Sequence, residues 1–233
     1  MNYVSAAITD IGRVRQQNED RFVHLPDHRV FGVADGIGGL PHGALAAKQA
    51  VAALETLVTQ QPVEKSEDLV AILQRVNEVT IAAGERVNPV EGIGTTLTVG
   101  VITDRLLLAH VGDSRCLLIR PDEVTALTTD HTIGNEGATL GLRATAANQH
   151  ALTRCIGQTA RLRVDIHEVA LQPGDLLLFA TDGLTKTQTP SEIARLLRTP
   201  ARALQDRLAD LVAITLARGA PDNTTAVAVE ITD

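Results

Sequence analysis

The order of extended and helical patterns along the chain narrows its fold more than any other feature. Extended patterns come first, at residues 3–9, 21–24 and 29–34. Two helical stretches follow. In one, Ala47, Val51, Leu54 and Val58 recur at three- and four-residue spacing. The other begins after Ser66, carries Glu67 and Asp68 in its first turn, and sets Leu69, Ile72, Leu73, Val76 and Val79 on one face. Strand patterns then return. Leu97, Val99 and Val101 alternate, and the apolar runs LLLAHV and CLLI are separated by turn residues such as Gly112-Asp113 and Pro121-Asp122. Further strands are expected at residues 163–169 and 175–180. Thr189-Pro190-Ser191-Glu192 is a capping box with proline at the first helical position, and another helix is expected from about residue 200 to 219. Thr225, Val227, Val229 and Ile231 alternate in a last strand. This order does not alternate as βαβ units. It predicts an α+β fold, with antiparallel sheets packed together and helices outside.

A length of 233 residues suits one domain over 1–233, with no repeat or linker visible. Aromatic residues are only 2% of the chain, so Leu, Val, Ile and Ala must fill its core. The formal net charge of −7 speaks against a nucleic-acid partner, which asks for a basic face. It leaves anionic substrates open, because bound cations invert the local field. Cys116 and Cys155 follow no metal-ligand spacing and read as a reduced cytosolic pair. The start MNYVSAAITDIG lacks a signal-peptide pattern, and no run approaches the ~18 apolar residues of a membrane span. A cytoplasmic location is expected.

Chemistry shows in where four aspartates fall. Asp35 ends the run VFGVA and opens DGIGG; Asp113 follows LLLAHVG; Asp182 follows LLLFAT; Asp222 precedes Asn223 and the last strand. One aspartate at such a junction is ordinarily a turn residue or helix cap. Four ask for more, because strand ends can converge at one edge of a sheet and clustered carboxylates repel unless protonated or bridged by cations. Oxygen ligands without His or Cys favour Mg²⁺ or Mn²⁺ over Zn²⁺. Glycine after Asp35 lets the backbone approach closely, so the Gly36 carbonyl can also face a metal.

The stretches GRVRQQNED, VADGIGG, GTTLTVGVI, AHVGDSR, TTDHT, FATDGLT and GAPDNTTAVAVEI occur in this order over nearly the whole chain. Together they resemble the metal-dependent protein phosphatase family called PP2C, in its compact bacterial form. The resemblance implies a central β-sandwich of two antiparallel sheets flanked by helices on both sides. It implies a serine/threonine phosphatase that works through a metal-bridged hydroxide and forms no phosphoenzyme. By that resemblance Asp35 bridges two tight Mn²⁺ or Mg²⁺ ions with the Gly36 carbonyl on one of them, and Asp182 and Asp222 are the other direct ligands. Glu19 and Asp20 become outer-shell groups, Arg15 grips the substrate phosphate, and Asp113 belongs to a weaker third site. Arg13 fits a turn. The implied partners are phosphorylated proteins, Ser/Thr kinases or their targets, met by a monomer with no membrane attachment.

Three positions depart from the family pattern. Ile37 stands where many animal members have a His that is a candidate general acid. Leu40 replaces a His common in bacterial relatives, with His42 two places on and expected at the surface opening a helix. Lys186 replaces an acid that helps hold the third metal, and a cation there should weaken that site. Residues 129–147 correspond to the family's flap, a short and mobile excursion bordering the substrate groove, with His131 at its base in a hydrogen-bonding role. Two rivals remain. A dinucleotide-binding turn at VFGVADGIGG fails because Pro41 takes the third glycine's place. A catalytically weak or inactive phosphatase-like scaffold would be favoured by loss of Asp35, Asp182 or Asp222, and all three are present.

Overall fold

A computed structural model describes residues 1–38, 42–121, 123–158, 161–199 and 202–232. Among the described residues, ten strands form two five-stranded sheets in which every pairing is antiparallel. The strands are β1 (Tyr3–Asp10), β2 (Arg21–Leu25), β3 (Val30–Ala34), β4 (Leu97–Ile102), β5 (Leu106–Val111), β6 (Arg115–Ile119), β7 (Val124–Ala126), β8 (Asp165–Val169), β9 (Leu176–Ala180) and β10 (Thr224–Ile231). One sheet runs β1-β10-β9-β6-β7 and the other β2-β3-β4-β5-β8. The helices are α1 (Gly43–Gln60), α2 (Ser66–Val87), α3 (Ile133–Glu136), α4 (Asp182–Thr185), α5 (Pro190–Leu197) and α6 (Leu204–Ala217).

Period-two alternation within apolar runs builds four layers. In β5, Leu106 and Leu108 join the middle layer between the sheets, while Leu107, Ala109 and Val111 meet α1 and α2. In β9, Leu177 and Phe179 face the middle while Leu176, Leu178 and Ala180 meet α5 and α6. Strands covered on both faces need no polar side, which is why LLLAHV and LLLFA read as unbroken apolar runs. Phe31 and Phe179, both fully buried, fill the middle layer of a chain poor in aromatics. This is the expected α+β sandwich.

Details differ from the sequence expectation. Val79 is 42% exposed, because it lies at the edge of the stripe made by Leu69, Ile72, Leu73 and Val76, roughly 70° around α2 from its centre. Asn77, Thr80 and Gly84 extend that buried stripe instead. The last helix begins at Leu204 rather than near 200, and residues 200–201 lie outside the described residues. β8 starts at Asp165, two residues later than expected. The excursion at 129–147 folds into α3 and turns, tied down by Ile133 N–H to Ala151 O at 2.9 Å and Gly134 N–H to Gln149 O at 2.8 Å. No helix among the described residues is long and apolar enough to cross a membrane.

Candidate metal centre

Both sheets deliver carboxylates to the same end. Asp35 follows β3, Asp113 follows β5, Asp182 opens α4 after β9, and Asp222 precedes β10. The Asp35 backbone is fixed by the Thr95-Thr96 pair: its N–H donates to Thr96 Oγ1 at 2.9 Å, and its carbonyl accepts from Thr95 Oγ1 and Thr96 N–H at 2.8 Å each. Gly36 is required by crowding, since a Cβ there would meet Gly43 O at 2.3 Å.

A clamp made by Asn223 closes the site. Its side-chain oxygen accepts from Glu19 N–H at 2.8 Å, and its amide donates to Ile11 O at 2.8 Å and Gln17 O at 3.0 Å. One buried side chain thereby holds the N-terminal loop carrying Arg15 and Glu19 against Asp222. The resulting cavity of about 290 Å³ is lined by Asp35, Asp113, Asp182, Asp222, Arg15 and Glu19, with Ile37 and Leu152 as apolar walls.

Cations meet these acids. Arg15 Nη2 lies 2.7 Å from Asp222 Oδ2. Gly38 leaves room for that guanidinium, because a Cβ there would meet Arg15 Nη1 at 2.6 Å. Lys186 Nζ pairs with Asp182 Oδ2 and lies 3.8 Å from Asp113 Oδ2. Asp20 sits behind the cavity, 1% exposed, accepting from Thr181 Oγ1 at 2.8 Å through Oδ2. Its Oδ1 is buried with no hydrogen-bond partner among the described residues. Burial pushes Asp20 up to about 7 against the help of Thr181, and burial with Asp182 alongside raises Asp113 to about 6. Burial first, then the charges of Asp20, Asp182, Asp113 and Asp222, hold Asp35 well above the usual carboxylate range.

Among the described residues no three His, Cys, Asp or Glu groups are already closed into a metal cage. The carboxylates instead line an open cleft, with Asp222 and Asp182 drawn onto Arg15 and Lys186. The donor set nonetheless fits hard divalent cations. It is all oxygen, Asp35 and Asp113 resist ionising beside the other acids, and one buried Asp20 oxygen has no proton donor among the described residues.

The remaining sequence candidates fall outside the cavity. Arg13 donates its backbone N–H to Ala220 O at 2.9 Å, as suits a turn. His42 is exposed with φ +70° at the N-cap of α1. Leu40 and Pro41 lie outside the described residues. His131 is buried: its Nδ1 accepts from Gly112 N–H at 3.1 Å and its Nε2 faces Asp165 Oδ2 at 3.0 Å, which assigns the proton to Nε2. Sequence reasoning missed Asn223, Thr96 and Thr181. The Asn after Asp222 and the Thr before Asp182 sat inside quoted motifs, but nothing local marks them as clamps.

The sequence profile of the family described as protein phosphatase 2C matches residues 12–217. The chain belongs to that family. This PP2C chain is 31% identical to the serine/threonine phosphatase stp of Listeria innocua over 95% of its own length and 93% of the relative's. It is 32% identical to the protein phosphatase PhpP of Streptococcus pneumoniae, covering 97% and 96% of the two chains. Among solved structures it superposes on the catalytic domain of the phosphatase PstP in complex with two manganese ions, with TM-score 0.83, 32% identity and 99% of each chain covered.

Proposed function

We propose that this PP2C chain is a protein serine/threonine phosphatase that hydrolyses phosphoserine and phosphothreonine with divalent metal ions, through one domain spanning 1–233. The observation that carries this reading is the convergence of Asp35, Asp182, Asp222 and Arg15 on one cavity in a chain matching the family almost end to end. Asp35, the Gly36 carbonyl, Asp182 and Asp222 would hold two Mn²⁺ or Mg²⁺ ions, with Glu19 and Asp20 behind them and Asp113 at a weaker third position. Bound cations supply an activated water and neutralise charge on the phosphoryl oxygens. Arg15 is exposed enough to turn from Asp222 to the substrate, where its planar fork grips phosphate and fixes its orientation. Ile37 and Leu152 wall the cavity with hydrocarbon and offer no proton to the leaving alkoxide. The retained Asp35, Asp182, Asp222 and Arg15 favour catalysis over an inactive scaffold. Substrates are phosphorylated proteins, Ser/Thr kinases or their targets, met by a monomeric, cytoplasmic enzyme.

The test is a metal switch on a phosphothreonine peptide. Activity should vanish in EDTA and return with Mn²⁺. Mn²⁺ at about 100 times its dissociation constant should also stabilise the fold by roughly 2.7 kcal/mol. Hydrolysis and melting temperature that ignore both additions would refute the reading.

A further inference from the structure

Two adjoining cavities open at the end of the sandwich away from the carboxylate cleft. One, of about 260 Å³, is bounded by Leu176, Glu230, Arg198, Arg202 and Arg207. The other, of about 540 Å³, takes in Arg120, Glu123 and Arg195 and shares Arg198. Five arginines thus face two glutamates on a chain whose formal net charge is −7. Three guanidiniums are engaged. Arg120 holds Asp175 at 2.8 and 2.9 Å, Arg202 pairs with Asp210, and Arg207 pairs with Glu230. Arg195 and Arg198 are exposed, and neither side chain has a hydrogen bond or ion pair to another described residue.

Strand direction places this strip far from the reaction. Leu176 starts β9 and Asp182 follows its other end; Asp222 precedes β10 and Glu230 lies near its other end. At ~3.3 Å per strand residue, the two regions are roughly 20–25 Å apart.

We propose that the strip is a docking site for an acidic stretch of the protein substrate, engaged while the phosphoresidue occupies the cleft. The proposal rests on the phosphatase reading above. Arg195 and Arg198 have no partner among the described residues to give up, and planar guanidiniums take carboxylates or phosphates in bidentate pairs. On a net-negative surface, a concentrated positive strip is where an acidic polypeptide settles, and it sets orientation on encounter. An extended chain covers at most ~3.3–3.6 Å per residue, so only an acidic stretch about 7 or more residues from the phosphoresidue reaches both places. Spacing is therefore the signature.

Peptides carrying one phosphothreonine and a Glu-Glu-Glu stretch either about 3 or about 12 residues away separate the cases. In the Mn²⁺-loaded wild type the long-spaced peptide should show a KM on the order of tenfold lower, an advantage that fades with added salt. The double variant Arg195→Glu/Arg198→Glu should lose that advantage while hydrolysing p-nitrophenyl phosphate as before. Equal KM values at both spacings, or an advantage that survives in the variant, would overturn the proposal. A fluorescein-labelled Glu-rich peptide without phosphate gives a readout independent of turnover. It should bind wild type and not the variant, even if the wild type proves unable to hydrolyse phosphoesters, which would sink only the phosphatase reading. Binding of phosphatidylglycerol vesicles through these arginines, without binding of the peptide, would also overturn it.

Discussion

Arg15 and Lys186 both touch carboxylates of the cleft, yet their chemistry separates them. Arg15 approaches Asp222 from an exposed loop, with its side chain 38% exposed, and is free to exchange a carboxylate for a phosphate. Arg15→Ala should therefore leave Mn²⁺ binding nearly unchanged and act mainly on KM, with turnover falling too if the contact tightens in the transition state. Lys186 is placed between Asp182 and Asp113, where its ammonium competes with any third cation. Lys186→Asp should add a weak Mn²⁺ site without removing the tight ones. Calorimetric titration checks both: loss of a tight site in Arg15→Ala makes Arg15 structural, and no added site in Lys186→Asp makes that lysine incidental. Asp20 allows a different test. Its carboxyl is raised from 3.8 to about 7, so the metal-free fold favours the protonated form. That contribution is complete below about pH 4 and is lost as pH rises through about 7, where the wild type must bury a charge. Asp20→Asn keeps an acceptor for Thr181 and never ionises. Relative to wild type, the metal-free variant should gain roughly 2–3 kcal/mol between about pH 5 and 8. A difference in melting temperature that stays flat over this range would show that Asp20 ionises freely in the fold.

Each carboxylate owes its place to an element end, and those ends depend on close backbone approach. Gly183, beside Asp182, is the sharpest case: a Cβ there would meet Asn223 O at 2.0 Å. Gly183→Ala should push α4 away from the turn that carries Asp222 and Asn223. Overpacking of this kind costs about 1–3 kcal/mol, and thermal melting should show it, together with weaker Mn²⁺ binding. An unchanged melting temperature would mean that this contact is slack. These elements were unevenly legible in the sequence. Runs such as LLLFA and the alternation from Thr225 to Ile231 identify strands because side-chain direction alternates within a few residues. Val79 was placed on the wrong face of α2, because Asn77, Thr80 and Gly84 are buried where apolar periodicity gives no signal. The aspartates stood out at strand junctions, while the residues that fix them did not. Asn223 reaches Ile11, Gln17 and Glu19 across more than 200 positions, and Thr181 reaches Asp20 across 161, so no local pattern records either contact.

The molecule as a whole is a sandwich whose two sheets each contribute two aspartates to one end. Asp35 and Asp113 come from β3 and β5 in one sheet; Asp182 and Asp222 come from β9 and β10 in the other. The apolar middle layer sets the spacing between these pairs, and the Asn223 clamp adds Arg15 from the N-terminal loop. Asp35 is surrounded by the other acids, so a neutral side chain there takes a carboxylate from the proposed metal site and relieves repulsion without opening the core. The decisive measurement is kcat/KM of Asp35→Asn on a phosphothreonine peptide with saturating Mn²⁺, alongside its metal-free melting temperature. The expected result is a loss of roughly a thousandfold, or about 4 kcal/mol of transition-state stabilisation, in a protein that melts no lower than the wild type. Near wild-type turnover in a folded Asp35→Asn variant would contradict it.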